Sequence, residues 1–289
     1  MLKPPILPPR VMQPVRQPQK AKTFNIKPWT DEGQGTKILI YSESGMGKTT
    51  LASMAPGAVF IGADDGGRMI INPVTHKPIQ AIGGVQTFQD VRDALRQWEL
   101  FKPNDTLVVD TITFVEKWAE AYIFEHVKTD QGQTASNIED YGYGKGYKHL
   151  LDAMRLLISD MEPLVRQGTN ILLLAQQSQT TVANLEGTDY LQDGPKLAAG
   201  KSYSVRTEFI EWVDHVFRIG HPPVSVAKTN KKAARGKVSG STERMIYTEK
   251  ELYYVAKNRM QGKLPPVVTF AEPADDSIWQ FVFGKKEQI

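Results

Sequence analysis

Lys37-Ile-Leu-Ile-Tyr-Ser-Glu-Ser-Gly-Met-Gly-Lys-Thr-Thr-Leu-Ala52 is the stretch on which the fold turns. Its apolar run has the length of a buried strand, Gly45 and Gly47 permit a tight turn, and Leu51-Ala-Ser-Met54 suits a helix. Strand, glycine-bearing turn and helix N-terminus in that order make a phosphate cradle. Backbone N–H groups converge on an anion, a lysine reaches the β- and γ-phosphates, and the next hydroxyl holds Mg²⁺. The pattern assigns Ser44, Gly45, Met46, Gly47, Lys48, Thr49 and Thr50 to nucleotide contact, with Lys48 as the charge and Thr49 as the metal ligand. The full motif G-x-x-x-x-G-K-[ST] would place glycine at 42, where this chain has Ser42; a serine fits that corner if its φ is negative.

Downstream, Ala58-Val-Phe-Ile-Gly62 is a short apolar run ending in Ala63-Asp-Asp-Gly-Gly67. Ligands of open α/β sheets bind beyond the carboxyl ends of the strands, so Asp64 or Asp65 is a candidate for orienting an attacking water; Asp-Gly also suits a solvated turn. From Thr87 to Phe101, the residues Phe88, Val91, Leu95, Trp98 and Phe101 stand at helical spacing, with Thr87 as N-cap and Asp90 at N3. Thr106-Leu-Val-Val-Asp110 is a buried β-branched strand ending in a carboxylate about 60 residues past Lys48, the arrangement of a Walker B element whose acid helps hold Mg²⁺. Thr111 and Thr113 open a helix with a buried stripe of Ile112, Val115, Trp118, Ala119, Tyr122 and Ile123.

Two polar stretches invite a second ligand. Tyr141-Gly-Tyr-Gly-Lys-Gly-Tyr-Lys148 offers stacking faces and phosphate contacts together, as single-strand binders do, through Tyr141, Tyr143, Lys145, Tyr147 and Lys148. The competing reading is a helix start with inward tyrosines. After the strand Asn170-Ile-Leu-Leu-Leu-Ala175 comes Gln176, either a sensor of the γ-phosphate or a satisfied strand-end amide. Residues 178–208 then read as a long functional loop with Lys196, Lys201, Tyr203 and Arg206. Cations gather again over 228–244, including Lys231, Lys232, Arg235 and Arg244, as in a hairpin with a basic tip suited to phosphate backbones. Glu211-Trp-Val-Asp-His-Val-Phe-Arg-Ile219 reads as a turn or short helix entering a strand, with His215 structural. Glu251–Ala256 reads as a strand closing on Lys257 and Arg259, which either reach a nucleotide on an adjacent subunit or are solvated. Ile278-Trp-Gln-Phe-Val-Phe283 reads as an alternating edge strand.

The 289 residues carry 35 basic and 32 acidic side chains, so nucleic-acid binding would have to come from local clusters. With no cysteine, disulfides and cysteine-ligated zinc are excluded. No apolar run nears the roughly 20 residues that span a bilayer, which points to a cytoplasmic protein with no membrane partner. Residues 1–34, with prolines at 4, 5, 8, 9, 14, 18 and 28, read as an extended arm, either flexible or strapped onto a partner; residues 35–289 form the folded domain.

The order of P-loop, strand-end acid, Walker B aspartate, strand ending in glutamine, long loop and Lys-x-Arg resembles the RecA-like ATPase core. More closely, it resembles the phage AAA-type nucleotide-binding proteins that serve as single-strand annealing and recombination ATPases. The resemblance covers about residues 36–283, with the P-loop and Walker B as its specific parts. It implies an α/β fold: a RecA-like P-loop NTPase core with a mostly parallel twisted sheet flanked by helices and C-terminal edge strands. It implies ATP and Mg²⁺ as cofactors, homo-oligomers (ring or filament) with ATP at subunit boundaries, and single-stranded DNA as partner. A phage or host single-strand-binding or replication protein is a further candidate partner. By position, Lys48 and Thr49 match the phosphate and metal ligands, Asp110 the Walker B acid, Gln176 the sensor, and Lys257 and Arg259 the trans-acting cations. Loops 128–148 and 178–208 match the DNA-facing loops. Asp64 stands where RecA-like proteins carry a catalytic glutamate, so slow hydrolysis is expected. Two alternatives share the phosphate residues: a helicase-associated motor or loader, and a nucleotide-gated interaction module that does not bind DNA.

Overall fold

Short β-branched runs alternate along the chain with longer amphipathic segments, and the computed structural model assembles them as three layers. It describes residues 26, 33–62, 65–184, 187–222, 225–227, 237–239, 242–260 and 262–284. All but residue 26 belong to the unit Gly33–Ile289, so most of the expected N-terminal arm lies outside the described residues. Among the described residues no helix is long and apolar enough to cross a membrane.

In chain order the elements are β1 (Lys37–Ser42), α1 (Lys48–Ser53), β2 (Ala58–Gly62), β3 (Gln80–Ala81), α2 (Phe88–Arg96), β4 (Thr106–Asp110), α3 (Ile112–His126), α4 (Lys145–Arg166), β5 (Asn170–Val182) and β6 (Tyr190–Pro195). Then follow α5 (Val205–Trp212), β7 (His215–Gly220), β8 (Ser225–Ala227), β9 (Lys237–Ser239), β10 (Met245–Tyr247), β11 (Val267–Thr269) and α6 (Ser277–Phe283). The main sheet runs β11-β10-β7-β1-β5-β4-β2-β3, with β6 pairing on the far end of β5. Strands β7, β1, β5, β4, β2 and β3 are parallel; β10, β11 and β6 pair antiparallel. The expected mostly parallel sheet flanked by helices is therefore present.

Because side chains alternate along a strand, each central strand feeds two cores. Leu39 and Tyr41 of β1, Val109 of β4 and Leu173 of β5 face α2, α3, α4 and α5. Ile38 and Ile40, Val108 and Leu172 face α1 and α6. Helix α2 starts at the capping box foreseen at Thr87 and Asp90: the Asp90 amide donates to Thr87 Oγ1 at 3.1 Å and the Thr87 amide to Asp90 Oδ2 at 2.9 Å. It stops at Arg96, however, and Trp98 is exposed on a short 3₁₀ turn instead of joining the core.

Three expected elements take another form. Ile278–Phe283 lies in helix α6, since Ile278, Trp279 and Val282 fall on one helical face against α1, and the Trp279 indole N–H donates to the Leu51 carbonyl at 2.8 Å. Glu251–Ala256 is not a strand: Glu251 and Tyr254 bridge each other in a tight turn, and the segment meets β6 at a bridge between Tyr254 and Asp193. The polar stretch 178–208 is largely a hairpin, because β5 continues to Val182 and pairs with β6 from Gln177–Pro195 to Val182–Tyr190.

Candidate nucleotide site

The phosphate loop joins β1 to α1 at the carboxyl edge of the sheet. Gly45 (φ 79°) and Gly47 (φ 88°) are left-handed, a conformation open to glycine at little cost, and Gly47 is the N-cap of α1. The Lys48 ammonium donates to the Ser42 carbonyl (3.0 Å), Ser42 Oγ (3.0 Å) and the Glu43 carbonyl (2.9 Å). Ser42 is fully buried, its φ is not among the positive ones, and its hydroxyl in turn donates to the Glu43 carbonyl at 2.8 Å. The serine in the glycine position thus adds an acceptor for the lysine. Burial holds the Lys48 pKa below the ordinary lysine value, opposed by the charge of Asp110.

Strand β4 brings Asp110 to the same edge, separated from β1 by β5. Thr49 Oγ1 donates to Asp110 Oδ2 at 2.7 Å. A hydroxyl and a carboxylate are hard oxygen donors suited to Mg²⁺, an ion that takes few protein ligands and completes its octahedron with phosphate oxygens and water. Two such donors beside a phosphate loop fit a metal that takes its remaining ligands from nucleotide and water.

Gln176 pairs in register with Ser42, at the level where parallel β1–β5 pairing ends and the hairpin begins. Its backbone N–H donates to Thr113 Oγ1 at 3.0 Å, and its backbone carbonyl accepts from the Lys196 backbone N–H at 2.7 Å. The Walker B helix therefore touches the strand that carries Gln176, and that strand touches the turn after β6. A second tie lies beside it: Glu116 of α3, buried, accepts from the Ala198 amide at 2.8 Å. Burial pushes its carboxyl up to about 7, while the Ala198 hydrogen bond opposes the rise.

The residues expected to contact DNA are divided by the structure. Tyr141 is buried, its hydroxyl directed at the carbonyls of Ile123 (2.9 Å) and Val127 (3.0 Å) where α3 ends, so it serves the core. Arg206 is buried in α5 and donates to Thr180 Oγ1 (3.1 Å) and Ser178 Oγ (2.7 Å), bracing the hairpin from behind. Tyr143 is fully exposed between two glycines. Tyr147 is partly exposed and donates to Glu139 at 2.6 Å; Lys145 pairs with Asp130 and Lys148 with Asp152 on the surface. Lys196 and Lys201 are exposed. Asp64, Lys231, Lys232 and Arg235 lie outside the described residues.

Lys257 and Arg259 stand at the opposite edge of the sheet from the phosphate loop, since Lys257 bridges Val216 near the start of β7. The Lys257 ammonium donates to the carbonyls of Ile210 (2.9 Å), Glu211 (3.1 Å) and Val213 (2.6 Å), closing the C-terminus of α5. Arg259 is the exposed member of the pair and binds Asp214 Oδ1 at 2.8 Å. Neither cation reaches the phosphate loop of this chain.

Two features stand where residue order did not place them. A cleft of about 720 Å³ opens beside Asp110, lined by Arg68, Ile82, Val85, Phe114 and Trp118. Phe114 and Trp118 fall one helical turn apart, which helical spacing could have flagged, but the wall built by 79–86 comes from β3 and its flanks. The second is Arg244, expected on a basic tip, whose guanidinium instead reaches the Met46 carbonyl of the phosphate loop.

Fold and site together define a P-loop nucleotide-binding protein of the α/β class. The family model described as "AAA domain" matches residues 34–260, and the chain belongs to that family of AAA-type P-loop ATPases. No curated protein matches the chain. Solved structures similar to it include a prototypical ATPase from the type III secretion system of pathogenic bacteria (13% identity, 64% of this chain and 51% of that one, TM-score 0.38). Others are the RadB recombinase (11%, 75% and 89%, TM-score 0.34) and a KaiC-like protein from Pyrococcus horikoshii OT3 (12%, 82% and 90%, TM-score 0.38). The chain thus spans about half the length of the secretion ATPase.

Proposed function

We propose that this chain is an ATP-dependent single-stranded DNA-binding protein that promotes strand annealing or recombination in phage DNA metabolism, hydrolysing ATP slowly at the interfaces of a homo-oligomer. The observation that carries the reading is Gln176: its backbone N–H is tied to the Walker B helix at Thr113 and its backbone carbonyl to Lys196, while its side chain is the candidate sensor. Any adjustment of that residue on loss of the γ-phosphate is passed to the turn that bears the exposed Lys196 and Lys201.

In this reading Lys48 holds the phosphates, Thr49 and Asp110 hold Mg²⁺, and Gln176 senses the γ-phosphate. Held by Thr49 and Asp110, Mg²⁺ would supply positive charge against the phosphates. Asp64 orients the attacking water, and its short reach keeps turnover low. Arg259, facing away from its own site, acts in trans on a neighbour's nucleotide, with Lys257 fixing the segment that presents it. Tyr143, Lys145, Tyr147, Lys148, Lys196, Lys201, Lys231, Lys232 and Arg235 contact the strand, and the N-terminal arm straps onto a neighbouring subunit or a replication protein.

The test is single-stranded DNA binding by fluorescence anisotropy with Mg-ATP, Mg-ADP and no nucleotide, for the parent and Lys48→Ala, at two salt concentrations. Tight, salt-sensitive binding that needs ATP and Lys48 supports the reading. No DNA binding under any condition, with nucleotide binding intact, overturns it. One observation favours the alternative of a nucleotide-gated interaction module: Leu191, Leu252 and Tyr253 are exposed together around a hollow at the tip of the β5–β6 hairpin. That module would capture a protein partner in an ATP-dependent way and ignore DNA.

A further inference from the structure

Arg244 directly precedes β10, and its side chain lies against the outer side of the phosphate loop. The guanidinium carbon sits 4.2 Å from the centroid of the Phe270 ring. Its Nη1 reaches the Met46 carbonyl at 3.4 Å and its Nη2 the Ala271 carbonyl at 3.3 Å. These bonds are long, so the position is set chiefly by the stack on Phe270 and by the Phe270 amide, which donates to the Arg244 carbonyl at 2.8 Å. Phe270 is fully buried, and the Met46 side chain packs in the same core cluster. A Cβ on Gly47 would stand 2.6 Å from Arg244 Nη1 and 3.2 Å from Phe270 Cε1. Gly47 is therefore required by its φ of 88°, and any side chain there would also displace the Arg244 guanidinium.

The Met46 carbonyl and the Gly47 N–H belong to one peptide unit. In a trans peptide these two groups point in opposite directions, so a cation on the carbonyl favours the orientation in which the N–H faces the anion cradle, and polarises that N–H further. We propose that Arg244 is a positioning residue of the phosphate loop, holding the Met46–Gly47 peptide in its anion-receptive orientation and adding positive charge behind it. The inference rests on reading this loop as a nucleotide site, and deepens it. Backbone N–H groups of such a loop cradle the phosphates that nucleoside di- and triphosphates share, so Arg244 acts on both alike.

The experiment is calorimetric titration of the parent, Arg244→Lys and Arg244→Gln with Mg-ADP and Mg-ATP at two salt concentrations, with thermal unfolding of each nucleotide-free protein. Arg244→Gln should bind both nucleotides about tenfold more weakly, the scale of one charge-assisted hydrogen bond at the low end of its range, and with less salt dependence. Arg244→Lys, which keeps the charge and loses the fork, should fall between; it carries the test alone if the glutamine variant does not fold. Parent-like affinity in both variants overturns the inference, and so does a loss confined to Mg-ATP. Equal losses in both variants that track a lower unfolding midpoint mean packing alone and also overturn it. A parent that binds neither nucleotide overturns the nucleotide reading itself, and the inference with it.

Discussion

Thr49 and Asp110, 61 positions apart in the chain, share one hydrogen bond, Thr49 Oγ1 donating to Asp110 Oδ2 at 2.7 Å. Two strands and a helix N-terminus converge to place them so, and a hydroxyl beside a carboxylate is a donor pair suited to Mg²⁺. Thr49→Val removes one of the two oxygens and should abolish the gain in ATP affinity that magnesium brings; Thr49→Ser should retain it. Titration with a fluorescent ATP analogue, with Mg²⁺ and with EDTA, decides. A Thr49→Val protein that still distinguishes the two conditions would remove Thr49 from the metal site.

Ser42 stands where the motif has glycine, and its hydroxyl is one of three acceptors around the Lys48 ammonium. Ser42→Gly leaves two carbonyls in place, so the expected cost is about 1 kcal/mol of stability, the net worth of one hydrogen bond. Nucleotide affinity should change by less than about fivefold, a difference of about 1 kcal/mol. A collapse of nucleotide binding would give the hydroxyl a direct role that its contacts do not require.

Lys257 and Arg259 separate by function. Lys257→Met leaves the carbonyls of Ile210, Glu211 and Val213 at the end of α5 without this donor and should lower stability by about 1–3 kcal/mol. Arg259→Ala breaks only an exposed ion pair, worth about 0–1 kcal/mol, yet should lower ATP turnover if the arginine acts on a neighbour's nucleotide. Parent-like turnover of Arg259→Ala would end the trans assignment.

Tyr141 and Tyr143 are two residues apart, one facing the core and the other water. Tyr141→Phe should destabilise the fold by about 1 kcal/mol through the lost hydroxyl bonds where α3 ends, with strand binding unchanged. Tyr143→Ala should leave stability unchanged and weaken single-stranded DNA binding by about 1–3 kcal/mol if the ring stacks on a base. Thermal unfolding and anisotropy, measured on both variants, test the pair; the reversed pattern would refute it.

Glu116 gives a pH dependence with a definite sign. Its folded pKa of about 7 lies above the ordinary 4.5, so between those values the folded protein keeps a proton that the unfolded chain has released. Stability from this group is greatest below pH 4.5 and falls as pH rises toward 7. Glu116→Gln keeps an acceptor for the Ala198 amide and does not titrate. It should match the parent near pH 5 and exceed it at pH 8 by about 2–3 kcal/mol, because each tenfold change in a proton-binding constant is worth about 1.4 kcal/mol. Unfolding curves that stay parallel across this range would contradict the assignment.

The parts of the site that lie close together in the chain are legible from residue order. Residues 37–52 carry strand, turn and helix in one run, and glycine, lysine and threonine each have a distinct chemical task there. Thr106–Asp110 is legible for the same reason, and so is the capping box at Thr87, because a cap is made within four residues. Periodicity fails where a short apolar run satisfies two periods: Ile278–Phe283 alternates well enough for a strand, yet buries Ile278, Trp279 and Val282 as a helix against α1. It also fails at 178–208, where polar residues conceal a hairpin held by backbone pairing.

Local residue order was enough to place a phosphate-loop sequence, with its lysine and hydroxyl, at the end of a buried strand, and to mark a second strand ending in aspartate about 60 residues on. Each of those inferences rests on forces acting within a few residues: glycine's freedom at positive φ, the unpaired N–H groups of a helix start, and the period of a strand. Packing between remote segments decided the rest. It sent Tyr141 and Arg206 inward, set Lys257 on a helix end, and laid Arg244 behind a loop 198 residues earlier. Tyrosine and arginine each join an apolar body to a polar tip, so whether one is buried depends on partners for that tip, and those partners come from elsewhere in the fold.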